Sequence, residues 1–349
     1  MPRRCKRFSE CGAEGVVRVP YAGLTLCSDH FVEYVESRVE KTVERYHFLS
    51  RRGARERWAV AMSGGKDSQV LAKVLAKRFE DSLELVGLHL DLGIEPNEYS
   101  RRSREVVEAT CEELGIPLHV VDLAGEHGFT TDHFHRPGGG GSGSARRLRS
   151  GAKDRRRGSG DRRRRRGECS ACGLVKRYLL NKAAVGLGVD KVATGHNLTD
   201  EATTLLSNLL LVDLDALSRG RPWSARKEVV GGPPDAALVP RVKPLYETSE
   251  EEVLLYAVHA NLPFVEVECP YAAHATSTST KRWVLAMEGV RPGTMLGLVR
   301  GYQKRLLPLL EREVGGGAAP LTSCGECGQP TSTPVCAFCR LKAKTLGPG

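Results

Sequence analysis

The chain has 349 residues, 40% of them apolar and 27% charged, which is enough for about two domains with a substantial core. Its net charge of +10 has one source: residues 136–167 carry 13 Lys/Arg against 2 Asp, so everything else sums to −1 and the overall basicity does not mark the folded body as a nucleic-acid binder. No apolar run reaches membrane-span length and Met1-Pro2-Arg3-Arg4-Cys5 lacks a signal-peptide core, so a soluble, cytoplasmic protein with no membrane partner is expected.

Eleven cysteines in a cytoplasmic chain point to metal or sulfur chemistry rather than disulfides. Ten fall into three groups, and Cys111 stands alone on the apolar face of an expected helix with Val107 and Leu114, which reads as core. The first group is Cys5, Cys11, Cys27 and His30. Cys27-x2-His30 has the spacing of a zinc knuckle, whereas five residues separate Cys5 from Cys11 and Phe8 stands where a close pair would have its first ligand. Structural zinc is expected on the four, with Cys5 the weakest of them. An amphipathic helix follows, with Phe31, Val35, Val39 and Val43 at four-residue steps.

The apolar run Trp58–Met62 leads into Ser63-Gly64-Gly65-Lys66-Asp67-Ser68, and a helical pattern continues through Val70, Leu71, Val74 and Leu75. A strand, a glycine turn and a helix can hold phosphate. The glycines let the backbone approach an anion, and the new helix offers unpaired N–H groups and its positive dipole end. The spacing is not that of Walker A. A second strand is expected over Leu85–Asp91, a helix from about Asn97 to Leu114 and a third strand over Leu118–Leu123. This alternation predicts an α/β fold with a doubly wound parallel sheet whose ligands sit beyond the strand C-termini. His89 falls at such an end, beside a nucleotide base or as a satisfied structural histidine.

Residues 136–167, with Gly138–Gly141 and Arg162–Arg166, carry almost no apolar side chains and predict a disordered insertion, either simply solvated or an arm for RNA phosphates. Cys169-x2-Cys172 then opens a helix with Lys176 one turn on. Alone, the pair fits zinc, an iron–sulfur cluster or a redox couple. Cys269, in Glu268-Cys269-Pro270, supplies a third thiol without an obvious fourth, which suits a cluster with one open iron better than closed zinc. A strand over Lys191–Thr194 ends in Gly195-His196-Asn197-Leu198-Thr199-Asp200-Glu201. Asp200 there serves either the helix dipole or Mg²⁺ and phosphates. Residues 213–239 read as an irregular mobile loop. Thr248 with Glu251 reads as a capping box. Helices are expected near Thr280–Glu288 and Gly293–Arg312, where Arg300, Lys304, Arg305 and Arg312 form a solvated face or meet RNA phosphate. Cys324-x2-Cys327-x8-Cys336-x2-Cys339 predicts a closed structural zinc site.

The Ser63–Ser68 loop resembles the PP-loop of ATP pyrophosphatases, also called the adenine nucleotide alpha hydrolase-like fold. With Cys169/Cys172/Lys176, Gly195-His196-Asn197 and Asp200, Glu268-Cys269-Pro270, Arg291-Pro292-Gly293-Thr294 and the terminal Cys quartet, the chain resembles the TtcA/TtuA family of tRNA 2-thiolation enzymes, best its TtuA-like branch with zinc modules at both ends. The shifted Cys5 and the Gly/Arg insertion depart from that pattern. The resemblance implies an N-terminal zinc module and helix over 1–50, a catalytic domain over 51–270, a helical extension over 271–315 and a zinc module over 316–349. It implies ATP on Ala61, Ser63, Gly64, Gly65, Lys66, Asp67, Ser68, His89, Lys176 and Gly195, with Mg²⁺. Asp67, Lys176 and Asp200 would be catalytic, a 4Fe–4S cluster would sit on Cys169, Cys172 and Cys269, and two Zn²⁺ would occupy the terminal modules. The expected reaction adenylates O2 of a tRNA uridine, position 54 of the T loop favoured, and replaces that oxygen with sulfur. The expected donor is a ubiquitin-like protein ending in a thiocarboxylate, and a homodimer fits the family. Alternatives are wobble-uridine or cytidine thiolation, a persulfide route without a cluster, another PP-loop ligase such as a lysidine synthetase, and a non-catalytic zinc-containing RNA-binding protein.

Overall fold

The computed structural model describes residues 4–6, 11–50, 53–134, 157–229, 232–233, 236–271, 277–314 and 320–347, with the backbone alone for 157–169, 277–278 and 314. The N-terminal module is a short antiparallel pair, β1 (Val17–Val19) and β2 (Leu24–Leu26), followed by α1 (Ser28–Arg45). Phe31, Val35, Val39 and Val43 form the buried stripe of α1, as their spacing predicts.

The centre is a five-stranded sheet built from β3 (Glu56–Met62), β4 (Leu83–Asp91), β5 (Leu118–Asp122), β6 (Lys191–Ala193) and β9 (Arg241–Val242), in the order β5-β4-β3-β6-β9. Every pairing is parallel. Strand β3 is apolar throughout because both its faces are covered. Trp58, Val60 and Met62 enter one core, whereas Ala59 and Ala61 enter the other. On the first face lie α1, α2 (Lys66–Arg78) and α8 (Glu250–His259), and their apolar residues share that core. Helix α3 (Tyr99–Glu113) contributes Val107 and Cys111 to it, so Cys111 is core as expected. The short α4 (Leu123–His127) and the long α5 (Arg157–Gly186) belong to the other face. The chain leaves β3 in one direction and β6 in the other. The C-terminal ends of β3 and β6 therefore flank the crevice where such sheets bind ligands.

A third core joins α6 (Leu198–Leu211), α7 (Leu214–Ser218), α9 (Ser277–Val290), α10 (Thr294–Gly301) and α11 (Leu307–Val314). The helix expected over Gly293–Arg312 is interrupted by a π turn over Tyr302–Leu306. Arg300 on it is exposed but paired, since with Arg45 and Tyr46 it converges on the buried carboxylate of Glu247. The capping box of α8 lies one residue later than expected. Ser249 and Glu252 exchange the two bonds, and Thr248 is buried instead. The segment expected to be irregular contains α7 and a small hairpin, β7 (Lys227–Glu228) with β8 (Ala237–Leu238). The expected insertion 136–167 is helical on its last described backbone, because α5 begins at Arg157, and residues 135–156 lie outside the described residues. The C-terminal module is β10 (Thr322–Ser323), β11 (Pro330–Thr331) and α12 (Ala337–Leu346). Among the described residues no helix is long and apolar enough to cross a membrane.

Candidate active site and metal modules

The loop after β3 is braced by its own serine. Ser63 N–H donates to Ser68 Oγ at 3.2 Å, and that hydroxyl donates to the Gly65 carbonyl at 2.9 Å. Gly65 caps α2 with extended dihedrals and no side-chain bond, and the Ser68 N–H already meets the Gly65 carbonyl, so the Lys66 and Asp67 N–H groups are the ones left for an anion. Gly64 has φ +79°, and a Cβ there would stand 2.8 Å from the Ser103 carbonyl oxygen. Only glycine lets α3 pack against this turn.

Around the turn the charges are arranged in contact. Lys66 Nζ lies 3.3 Å from Asp67 Oδ2 and 3.1 Å from Glu250 Oε1. Burial would lower its pKa, but these two carboxylates raise it instead. Asn197 Nδ2 donates to Asp67 Oδ1 at 2.9 Å, while its Oδ1 accepts from the Asp200 N–H that closes the capping box of α6. Gly195 lies so close to the loop that a Cβ would stand 3.0 Å from the Asp67 carbonyl carbon. The β6–α6 turn is thereby fixed on the β3–α2 turn, and Asp67 and Asp200 share Asn197. Burial, with the Asp67 charge adding to it, pushes the Asp200 carboxyl up to about 6.

A cavity beyond the strand ends is walled by Ala61, Ser63, His89, Tyr99, Lys176 and Cys269. His89 is buried and donates Nδ1–H to the Met62 carbonyl at 2.8 Å, while its Nε2 has no partner. Burial lowers its pKa, so it is a neutral ring offering an acceptor. One nitrogen is satisfied structurally, and the ring still lines the cavity.

On α5, Cys172, Lys176 and Leu180 recur at four-residue steps, so they lie along one face, and Lys176 and Leu180 reach the cavity. Burial raises the pKa of the Tyr99 phenol, and Cys269 and then Cys172 raise it further. One hydroxyl thus senses two thiols that are far apart in sequence. The Cys169 side chain lies outside the described residues. Its backbone is one helical turn before Cys172 on the same face.

Both terminal metal modules have the donor atoms a zinc ion needs. Cys5, Cys11, Cys27 and His30 offer ligand atoms all within 4.8 Å of one another, as do Cys324, Cys327, Cys336 and Cys339. At a Zn–S distance of about 2.3 Å, a tetrahedral site has an S···S edge of about 3.8 Å. Cys11 and Cys27 are 3.8 Å apart, and Cys327 and Cys336 are 3.7 Å apart. Cys5 Sγ lies 3.3 Å from His30 Nδ1, so its unusual spacing does not remove it from the site.

Sequence reasoning gave no role to Asn197, Glu250, Ser103 or Tyr99. The Asn197-x2-Asp200 capping-box spacing was a usable signal for Asn197. The other three reach the site only through tertiary packing.

The chain is similar to known proteins over nearly its whole length. The N-terminal LIM domain family of 2-thiouridine synthetase TtuA matches residues 4–32, and the PP-loop domain family matches residues 33–137. The tRNA-5-methyluridine(54) 2-sulfurtransferase of Pyrococcus horikoshii is 37% identical, across 95% of this chain and 92% of its own. The Thermus thermophilus protein of the same name is 38% identical, across 95% and 89%. Among solved structures, the U34-tRNA thiolase NcsA from Methanococcus maripaludis with its 4Fe–4S cluster superposes with a TM-score of 0.70. It is 26% identical, across 97% of this chain and 96% of the other.

Proposed function

The chain belongs to the TtuA-like family of tRNA 2-thiolation enzymes, and from that premise we propose that it uses ATP to replace O2 of uridine 54 in the tRNA T loop with sulfur. The observation that carries this reading is the single cavity walled by Ser63 of the phosphate loop, Lys176 of the cysteine helix and Cys269. Activation and sulfur delivery act on the same base carbon, so they need one chamber. Position 54 is favoured over 34 because the relatives at 37% and 38% identity are named for it, whereas the U34 thiolase is 26% identical.

The free N–H groups at the start of α2 take the triphosphate. Asp67 and Asp200 are held together through Asn197, and the buried Asp200 titrates at about 6. Asp67 and Asp200 would hold Mg²⁺, which would relieve their repulsion and offset phosphate charge. His89 Nε2 is left to accept from the base. Uridine O2 attacks the α-phosphorus, the bond to pyrophosphate breaks, and the C2 oxygen becomes part of a good leaving group. Lys176 offsets charge on the α-phosphate and then on departing AMP. Sulfide attacks C2 and the C2–O bond breaks, releasing AMP. Cys169, Cys172 and Cys269 would hold a 4Fe–4S cluster, which supplies an iron position open to sulfide. The terminal modules would each hold a structural Zn²⁺. Sulfur donation by a ubiquitin-like thiocarboxylate protein and assembly as a homodimer belong to the same proposal and are supported by family resemblance.

Anaerobically purified protein should contain about four irons per chain and, with ATP and sulfide, should yield tRNA carrying one 2-thio group in the T-loop fragment by mass spectrometry. Cys172→Ala and Cys269→Ala should each lose iron and thiolation. Lys176→Ala should keep iron and lose AMP formation. Thiolation confined to the anticodon fragment would overturn the choice of uridine. Full turnover by iron-free protein would overturn the cluster.

A further inference from the structure

The face of α5 opposite the cysteines borders a second, larger cavity of about 630 Å³. Its other walls are residues between Arg219 and Lys227, residues between Leu238 and Lys243, and the C-terminal module from Gln329 to Phe338. Six cations line it, Arg177, Arg219, Arg221, Lys227, Arg241 and Lys243, with no acidic side chain in the wall among the described residues. Outside residues 136–167 the chain has a net charge of −1, so this is a local concentration and not the average surface.

Two of the six are already paired. Arg221 grips Glu311 with both nitrogens, and Lys243 meets Glu201 at 2.7 Å. Arg241 Nη2 donates to the Arg177 main-chain carbonyl at 3.2 Å, and both arginines line the groove. Burial, and then the charge of Arg177, depress the pKa of Arg241. Such a pair calls for an anion from outside. Trp223, half-exposed on the same wall, carries the Arg221 guanidinium 5.1 Å from its ring centre.

The walls are built before any ligand arrives. Asn181 is buried in α5 and ties it to two of the others: its Nδ2 donates to the Ala237 carbonyl at 2.9 Å and to Gln329 Oε1 at 3.0 Å, and its Oδ1 accepts from Val239 N–H at 3.0 Å. The groove also leads toward the chemistry. Arg241 and Lys243 sit at the end of β9, beside β6, and their charges, with that of Asp67, bear on His196 in the turn against the phosphate loop.

We infer that this groove binds the sugar–phosphate backbone of the RNA substrate, with Arg177, Arg219, Lys227 and Arg241 on phosphates and the zinc-bearing C-terminal module as its outer wall. The inference rests on the tRNA reading above and deepens it by naming where the RNA is held. Four cations in one groove that make no ion pair among the described residues suit a repeating phosphate polymer. A polar wall pinned by one asparagine holds them in register.

The test is fluorescence anisotropy of labelled tRNA on the whole zinc-loaded protein across a salt series. The variant combines Arg177→Glu, Arg219→Glu and Lys227→Glu, three exposed side chains. A second variant of equal charge change carries Lys41→Glu, Arg101→Glu and Arg102→Glu. The groove variant should bind tRNA at least tenfold more weakly, and its log K against log salt slope should shrink by about 2. Its ATP affinity and zinc content should stay those of the parent. The control variant should keep most of the parent affinity and slope. Parent-like affinity and slope in the groove variant, while the parent binds and thiolates tRNA, would overturn the groove and leave the function standing. An equal loss in both variants would also overturn it, by showing a diffuse charge effect. Failure of the parent itself to bind any tRNA would remove the functional reading, and the groove with it.

Discussion

Asp200 should cost the empty enzyme stability, and replacing it with asparagine should show by how much. Its carboxyl titrates at about 6 in the folded chain, against an ordinary 3.8, because it is buried and faces Asp67. A group whose pKa rises on folding gives its full stability below the unfolded value and loses it as pH climbs through the folded one. The loss begins near pH 4 and levels off above pH 6. At pH 8 the two values correspond to about 3 kcal/mol against the folded state, and at pH 5 to about 1.6 kcal/mol. Asparagine carries no charge and still presents an oxygen to the Asn197 N–H, so the α6 cap survives. Asp200→Asn should therefore melt higher than the parent without Mg²⁺ or nucleotide, by on the order of 5 °C at pH 8 and roughly half that at pH 5. Differential scanning fluorimetry of zinc-loaded protein at the two pH values reads this directly. Mg²⁺ with ATP should stabilise the parent more than the variant and close the gap, and AMP formation by the variant should fall by about 10². A variant no more stable than the parent at pH 8, or a gap unchanged between pH 5 and 8, would refute the buried-anion argument.

Three further outcomes follow from packing and ligand geometry. Gly64→Ala puts a methyl 2.8 Å from the Ser103 carbonyl oxygen at φ +79°; it should destabilise by about 1–3 kcal/mol and weaken ATP binding at least tenfold by calorimetry. Cys5→Ser should halve bound zinc by metal analysis while leaving iron unchanged, because the C-terminal quartet is a separate site. Glu247→Ala leaves Arg45, Tyr46 and Arg300 without their shared acceptor and should cost about 3 kcal/mol by urea denaturation at pH 7. Burial opposes ionisation of Glu247, but Arg300 and Arg45 hold its pKa below the usual carboxylate range. Its contribution is therefore present above that range, and the difference between variant and parent should shrink as pH falls through it.

The sheet was legible because its signals are local. An apolar strand closed by a glycine turn and an amphipathic helix fixes β3, Ser63–Ser68 and α2 with little help from the rest of the chain. The two metal modules were legible for the same reason, since Cys-x2-Cys and Cys-x2-His pairs each span one tight turn. Cys5 was harder because its place depends on the path between Cys5 and Cys11 and not on spacing alone. The capping box of α8 was misplaced by one residue because Thr248 and Ser249 both offer a hydroxyl, and only burial of Thr248 decides between them.

The groove behind α5 shows what local signals cannot carry. Arg177, Arg219, Lys227 and Arg241 are scattered over 65 residues and share no motif, and the chain's overall charge points instead to residues 136–167. They become one surface only because β9 joins the parallel sheet beside β6 and Asn181 pins the hairpin and the C-terminal module to α5. A net charge is a sum over the sequence, whereas a binding surface is a sum over neighbours. Here the two differ in both place and size. The same helix borders both cavities, with Lys176 and Leu180 in the wall of the first and Arg177 and Asn181 in the wall of the groove. Residues 176 and 177 are consecutive, yet the roughly 100° step of an α-helix sends one to the cavity beyond the strand ends and the other to the groove.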